Sequence, residues 1–256
     1  MKTSILLAAS LAGIAGAAHA RQAIDDSEAT VSANVSAHVS ANVAVVSDYR
    51  YRGISQTRLQ PAIQAGVERV AASGWYAGAW ASSIRWTRDA GGAGSVELDV
   101  YGGRRGKLGG VGYDLGLLGY LYPSNGLSRV PGWDNANSAE AYAQLGYGLA
   151  TLKYSHAFTN LFGMPGTRGS GYLDLSLDFA AGAKTTLSLH AGRQRVRHLG
   201  TASYTDWKAA LAHDAGGATL TLAAVGTNAG ERAYASPANG KFLGRRALVV
   251  TLGRRF

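Results

Sequence analysis

The sequence predicts an all-β protein, a transmembrane antiparallel up-and-down β-barrel of about 12 strands, and three observations lead there. Segments in which apolar and polar residues alternate with period two recur along the chain without helical blocks between them. The connections between those segments alternate between short and long, as in barrels with short periplasmic turns and long extracellular loops. The last segment places Leu248, Val250, Leu252 and Phe256 on one side against Ala247, Val249, Thr251 and Gly253 on the other, and closes on an aromatic residue. Such an ending suits lipid better than water.

At the N-terminus, Lys2 precedes an apolar, Ala-rich run from Ile5 to Ala17 and then Ala18-His19-Ala20. This reads as a secretory signal peptide over residues 1–20, cleaved after Ala20. The run is too short and too rich in Ala and Gly for a spanning anchor. Residues 21–38 are expected to form an N-terminal periplasmic extension. It opens on Asp25-Asp26-Ser27-Glu28 and continues as Val31-Ser-Ala-Asn, Val35-Ser-Ala-His, Val39-Ser-Ala-Asn. A period of four is too short for a solenoid repeat. It reads as a local duplication ahead of the first strand, with a short amphipathic helix as the alternative, because Val at every fourth position follows a helical face.

The barrel is expected over residues 39–256, with strands near 39–52, 61–70, 75–86, 95–104, 111–122, 138–147, 149–158, 171–180, 185–194, 204–213, 218–227 and 245–256. In the first, Val43, Val45, Ser47, Tyr49 and Tyr51 oppose Asn42, Ala44, Val46, Asp48, Arg50 and Arg52. The fourth sets Val96, Leu98 and Val100 against Glu97, Asp99 and Tyr101. The eighth sets Leu173, Leu175, Leu177 and Phe179 against Tyr172, Asp174, Ser176 and Asp178. Short connections fall at Ala71–Gly74, Arg105–Gly110, Gly148, Ala181–Lys184 and Asp214–Gly217. Long ones include Pro123–Ala136, Thr159–Ser170 and Thr227–Gly244. An even strand count returns both ends of the barrel to the periplasmic side.

Aromatic residues on the apolar parity sort to the strand ends. Tyr49, Tyr51, Trp86, Phe158 and Trp207 fall at the extracellular ends, and Tyr76, Tyr113, Tyr147, Phe179 and Phe256 at the periplasmic ends. Two aromatic girdles are the expectation, since amphipathic rings settle at membrane interfaces. Trp80, in mid-strand on the same parity, departs from the sorting. Period two alone also fits a soluble sandwich, whose charged face meets water. The loop alternation, the girdles and the terminal stripe decide for the barrel.

Composition agrees. Hydrophobic residues make up 46% of the chain and mean hydropathy is −0.03, yet no run after residue 20 reaches the ~18 apolar residues of a spanning helix. The 35 glycines are about twice average usage and favour strands and tight turns. Cysteine is absent, so no disulfide framework is available. The formal charge is +9, and removing Lys2 with the signal peptide leaves +8. Arg and Lys are spread in ones and twos, and export removes nucleic acid as a partner.

The polar parity of a roughly twelve-stranded ring must project inward, because a charge facing lipid costs ~2–4 kcal/mol at the midplane. The expected pore-lining residues are Asp48, Arg50, Arg52, Glu68, Glu97, Asp99, Asp114, Lys153, Asp174, Asp178 and Lys208, with Gln64, Glu140 and His190 on the same parity. Two readings stay open: these charges form the wall of a narrow diffusion channel, or they pair across the lumen and close it. In the second, Asp48, Arg50 and Arg52 would pair with Glu97 and Asp99. The expected function is passive diffusion of small hydrophilic solutes or ions, with an anion preference favoured by the net charge. Part of that charge lies in loop residues such as Arg85, Arg88, Arg168 and Arg197, which suit lipopolysaccharide phosphates. The alternatives are a closed structural or adhesive barrel acting through its loops, or an outer-membrane enzyme. No catalytic residue, cofactor or metal is expected. Ser155 and His156 are adjacent on one strand and point to opposite faces, and no metal-ligand spacing, phosphate loop or nucleophile elbow is present.

The stretch Asn42-Val-Ala-Val-Val-Ser-Asp-Tyr-Arg-Tyr-Arg-Gly-Ile-Ser-Gln-Thr57 closely resembles the opening signature of the TorF porin family. Further matches are Pro61-Ala-Ile-Gln64, Gly74-Trp-Tyr-Ala-Gly-Ala-Trp-Ala-Ser82, Glu97-Leu-Asp-Val-Tyr-Gly102, Tyr113-Asp-Leu-Gly116, Tyr122-Pro123, Glu140-Ala-Tyr142 and Lys153-Tyr-Ser155. The resemblance covers about residues 40–256. It implies a Gram-negative outer-membrane β-barrel with a channel function, and a terminal Phe that outer-membrane assembly machinery recognises. The Val-Ser-Ala repeats and the segment Thr227–Gly244 depart from the family pattern.

Overall fold

The computed structural model describes residues 37–256; the expected signal peptide and nearly all of the expected extension lie outside the described residues. Twelve antiparallel strands close into a barrel. They are β1 (His38–Val46), β4 (Ala62–Val70), β5 (Trp75–Ser83), β6 (Val96–Leu108), β7 (Val111–Leu121), β8 (Ser138–Tyr147), β9 (Ala150–Ala157), β10 (Gly171–Ala180), β11 (Thr185–Arg195), β12 (Tyr204–Asp214), β13 (Ala218–Thr227) and β14 (Ala247–Arg255). Each pairs with its neighbours in sequence, and β14 returns to β1 with Asn42 opposite Arg255 and Val46 opposite Thr251. A two-stranded hairpin, β2 (Arg50–Tyr51) with β3 (Ile54–Ser55), stands apart from the ring. The single α-helix among the described residues, α1 (Trp86–Asp89), is one turn long, and no helix there is long and apolar enough to cross a membrane.

Period two decides which face each residue takes. On β14, Leu248, Val250 and Leu252 are exposed, while Val249 and Thr251 are buried in the interior. The same alternation holds on β8, where Glu140, Tyr142 and Gln144 are buried and Leu145 and Tyr147 exposed. The result inverts a soluble protein: Ile63, Leu117, Leu173, Leu211, Leu220 and Leu252 all face outward. A contiguous apolar band of that kind is the outer surface of a barrel set in lipid.

Strand limits agree with the sequence reading to within two residues except at three places, one being the strand expected over 75–86, which ends at Ser83 as the chain turns toward α1. The strand expected over 39–52 ends at Val46, because the chain bends inward at Ser47-Asp48 and enters the hairpin. The strand expected to end near residue 104 runs on to Leu108, leaving Gly109-Gly110 as the turn; Gly109 takes φ +57° there, a left-handed conformation that favours glycine.

Inside, the ring is lopsided. From β5 to β11 the inner face carries Tyr76, Trp80, Tyr101, Tyr120, Tyr142 and Tyr172 among charged side chains. From β13 through β14 to β1 it carries Thr221, Ala223, Val225, Val249, Thr251, Ala44 and Val46. Bulk on one side and small residues on the other leave free space against the β13–β14–β1 wall.

Candidate functional site

The hairpin is the first element of the site. Its two central residues, Arg52 and Gly53, both take positive φ (+46° and +80°), as a type I′ turn requires. Glycine adopts this freely, but arginine there costs of order 1 kcal/mol or more and needs an external hold. The hold is on the far wall. Arg52 donates to both carboxylate oxygens of Glu140 on β8 (2.7 and 3.1 Å) and to Gln194 on β11 (2.7 Å). Its guanidinium lies 4.2 Å from the Tyr172 ring centroid and 4.7 Å from that of Tyr51. Gly53 sits so close to β12 and β13 that an added Cβ would fall 2.5 Å from Thr227 and 2.9 Å from Asp206. The hairpin therefore crosses the lumen from β1 to the opposite side, at the end of the barrel that carries the long loops.

Other contacts hold its base. Arg50 pairs with Asp48 at 2.7 Å and donates to the Arg245 carbonyl at 2.8 Å, while Ser55 donates to Asp48 at 2.5 Å. Outside the hairpin, Arg58 pairs with Asp89 of α1, and those hydrogen bonds hold the Arg58 guanidinium above its ordinary pKa. Aromatic rings roof one side: Phe162, from the loop after β9, meets Tyr51 and Tyr120 edge to face at 5.3 and 5.2 Å, and Trp86 meets Tyr122 at 5.0 Å.

Here the structure corrects four of the expected girdle residues. Tyr49 is buried inside and donates to Glu97 at 3.0 Å; Tyr51 is half-buried inside and shares a hydrogen bond with Tyr120 at 2.8 Å. Parity along the sequence continues the outward stripe of Val43 and Val45 through both, but the chain leaves the sheet at Ser47 and parity ends with it. Tyr76 is interior because the inward residues of β5 are the even ones; its hydroxyl donates to Asp114 at 2.5 Å. Trp86 sits on α1 beneath Tyr122 rather than on a strand end. Trp80, the exception to the sorting, is also interior, edge to face with Tyr49 at 5.4 Å. The remaining expected girdle residues, Tyr113, Tyr147, Phe158, Phe179, Trp207 and Phe256, lie on the outward parity near strand ends, with Trp75 and Tyr154 also exposed there.

Strand register assembles the charges. Arg105, Asp114, Gln144, Lys153 and Asp174 are successive partners across β6 to β10, and the row continues through Gly192 to Asp206 on β12. Gly192 is the gap that makes the end of this row possible: an added Cβ would lie 1.9 Å from the Tyr172 hydroxyl. Across that gap Tyr172 donates to Asp206 at 2.7 Å. His190 lies between two carboxylates, 3.2 Å from Asp174 and 3.3 Å from Asp206. Ser176 donates to Asp174 at 2.9 Å and Ser188 to Asp178. Toward the short-turn end, Glu68 pairs with Arg105 at 2.7 Å, and Arg105 stacks 4.0 Å from Tyr76.

The eleven residues expected to line a pore lie on the inner side of the ring, but they do not pair as the closed-lumen alternative has them. Arg50 and Arg52 take Asp48 and Glu140, leaving Glu97 with a tyrosine and Asp99 with no hydrogen bond or ion pair among the described residues. Sequence reasoning missed Arg105, which it placed in a turn, and Asp206, which shares the parity of Lys208 two residues on. It also missed the tyrosines, for which lumenal parity was the available signal. Beside the hairpin lies a cavity of about 180 Å³, bounded by the small-residue wall on one side and by Asp99, Lys153, His190 and Lys208 on the other. Such a space admits a small polar solute with water. The contact between Ser176 and His190 is 3.5 Å, and Ser155 and His156 face opposite sides of β9.

Over residues 28–256 the chain matches the family described as "Bacterial protein of unknown function (Gcw_chp)". No curated protein gives a significant match. Among solved structures it is similar to a KdgM porin in complex with disordered oligogalacturonate, with a TM-score of 0.53 at 8% identity over 85% of this chain and 97% of that one. It is also similar to the NanC porin, with a TM-score of 0.53 at 10% identity over 84% of this chain and 98% of that one.

Proposed function

Because the chain belongs to the family described as a bacterial protein of unknown function (Gcw_chp), a description that assigns no activity, we propose from its physical chemistry that it is an outer-membrane channel for passive diffusion of small hydrophilic solutes or ions. One observation carries this reading: a closed ring with an exposed apolar outer face surrounds a charged interior that contains a cavity. The outer face asks for lipid. The inner face asks for water, because ionised groups left dry and unpaired are expensive. Likeness in fold to two porins, at identities too low to carry substrate, supports the same conclusion, as does the resemblance of residues 42–57 to the TorF porin family.

In this reading the hairpin at residues 47–55 is a constriction at the loop end of the cavity that the walls of β13, β14 and β1 bound. Conductance is therefore small. The anion preference favoured by net charge acts at the loop rim, where Arg88, Arg129, Arg168, Arg197, Arg232 and Arg246 lie; these also face lipopolysaccharide phosphates. The outward stripe ending at Phe256 is the surface offered to outer-membrane assembly machinery after the signal peptide is removed.

Planar-bilayer recording of refolded protein tests the proposal. Small, discrete conductance steps are expected; silence above detergent blanks overturns it and favours a closed barrel acting through its loops. Heat-modifiable migration in detergent gels tests the barrel separately, and recovery in the soluble periplasm rejects it.

A further inference from the structure

Along the lumen the interior charges divide into those that cancel and those that do not. Asp48 with Arg50, Glu140 with Arg52 and Glu68 with Arg105 pair at 2.7 Å, one carboxylate to one guanidinium. Outside these pairs the inner side of the ring carries six carboxylates, Glu97, Asp99, Asp114, Asp174, Asp178 and Asp206, against three basic groups, His190, Lys153 and Lys208. The single imidazole of His190 serves both Asp174 and Asp206, at 3.2 and 3.3 Å. Asp178, Asp114 and Glu97 accept from Ser188, Tyr76 and Tyr49, but a neutral hydroxyl satisfies an oxygen without cancelling its charge. The Oδ1 of Asp99 is buried with no hydrogen-bond partner among the described residues. The surplus is therefore negative with His190 counted as a cation, and a proton shared between Glu97 and Asp99, neighbours on one face of β6, leaves it negative still. At the short-turn mouth, inward parity adds Lys107 and Arg255 together with Asp214, which does not reverse the sign. The surplus extends beyond the cavity in both directions. Glu97 lies two residues from Asp99 toward the long-loop end of β6, and Asp178 lies four residues from Asp174 toward the short-turn end of β10.

Resting on the channel reading, we infer that the lumen selects small cations over anions of equal size, although the chain as a whole carries a formal charge of +9. The two signs act in different places. The excess arginines sit in the loops at the rim, where lipopolysaccharide phosphates meet them and salt screens them over about 8 Å. The lumenal carboxylates stand on the wall of a narrow passage, where screening is weaker and the low-dielectric lipid outside focuses their field along the axis. Tyrosine faces act in the same direction, because the ring quadrupole attracts cations; Arg105 and Lys153 already rest 4.0 Å from the Tyr76 and Tyr142 ring centroids. Net charge thus governs the entrance, and the carboxylate surplus governs transit.

The test is the reversal potential of the refolded mature chain in planar bilayers of neutral phospholipid under a potassium chloride gradient. A negative lumenal potential of about one kT enriches cations and depletes anions by the same factor, so the potassium-to-chloride permeability ratio is expected to be roughly seven. Glu97→Gln and Asp178→Asn are each expected to lower that ratio, and Lys208→Met to raise it. Heat-modifiable migration confirms that each variant is folded, and the sign of the parent reversal potential stands as a test even where a variant fails to fold. A parent ratio at or below one, or a ratio that none of the folded variants moves, overturns this inference and leaves the channel standing. Absence of any conductance overturns both.

Discussion

Replacing Arg52 with alanine should undock the hairpin and widen the lumen. The native side chain makes three hydrogen bonds to Glu140 and Gln194 and stacks on two tyrosines; it is 8% exposed and the side chain of its partner Glu140 2%. At that burial, removing one partner of an ion pair costs about 3–5 kcal/mol, much of it from stranding the other charge. The lumen is wet, so the lower end applies, and relief of positive φ at residue 52 returns part of the loss. About 3 kcal/mol corresponds to a shift of roughly two orders of magnitude in the docking equilibrium. The barrel itself should survive, because its ladders do not include the hairpin. Two assays read the outcome: mean single-channel conductance should rise, and trypsin should cut after Arg50 in the folded barrel where the parent resists. A cycle with Glu140→Ala should show coupling, the double variant being less impaired than the sum of the single ones. A folded Arg52→Ala protein with parental conductance and parental resistance to trypsin would show that the clamp does not hold the hairpin.

Three further outcomes are expected. Phe162→Ala removes three edge-to-face contacts, of which only that to Tyr51, worth about 0.5–1.5 kcal/mol, holds the hairpin, so trypsin sensitivity after Arg50 should rise less than in Arg52→Ala; equal or greater sensitivity refutes the ranking. Gly192→Ala forces a methyl into the Tyr172 hydroxyl and should cost about 1–3 kcal/mol, read as a lower urea midpoint for loss of heat-modifiable migration. In a Tyr172→Phe background the same change should cost less, and an unchanged penalty would place the clash elsewhere. On adjacent residues of β13, Leu222→Arg should cut folding yield into vesicles, since a charge on the outer face costs ~2–4 kcal/mol near the midplane, whereas Thr221→Arg should fold and lower conductance by entering the cavity. Equal folding yields would contradict the assigned faces.

Most of the barrel was legible because period two is strict where both faces are specified. Leu248 to Leu252 against Val249 and Thr251 left one assignment, and glycine-bearing turns such as Ala71–Gly74 and Ala181–Lys184 marked the ends. Legibility failed where the chain left the sheet. From Asn42 to Arg52 the alternation continues unbroken on paper, so nothing in Tyr49 or Tyr51 announces that the strand has ended. Arg52-Gly53 is the one local sign, a pair of residues tolerant of a tight turn only when the arginine finds a distant carboxylate. That carboxylate, Glu140, is 88 residues away, and no local pattern can name it. Pairing partners failed for the same reason: parity says that Asp48, Glu97 and Asp99 face inward, but only the ring closure says which cation each can reach.

Tyrosine hydroxyls explain why so acidic an interior can still leave ammonium groups free. A carboxylate buried beside a lysine normally takes the lysine. Here Tyr49, Tyr76 and Tyr172 donate to Glu97, Asp114 and Asp206, and the Tyr76 and Tyr172 rings fit because Gly103 and Gly192 leave room on adjoining strands. Neutral donors satisfy acceptor oxygens without cancelling charge, so the lumen keeps both its carboxylates and its unpaired Lys153 and Lys208. The glycine content that first read as turns and strands thus has a second use inside the ring. It lets phenols lie flat against the wall, which sets which charges stay available to whatever moves through.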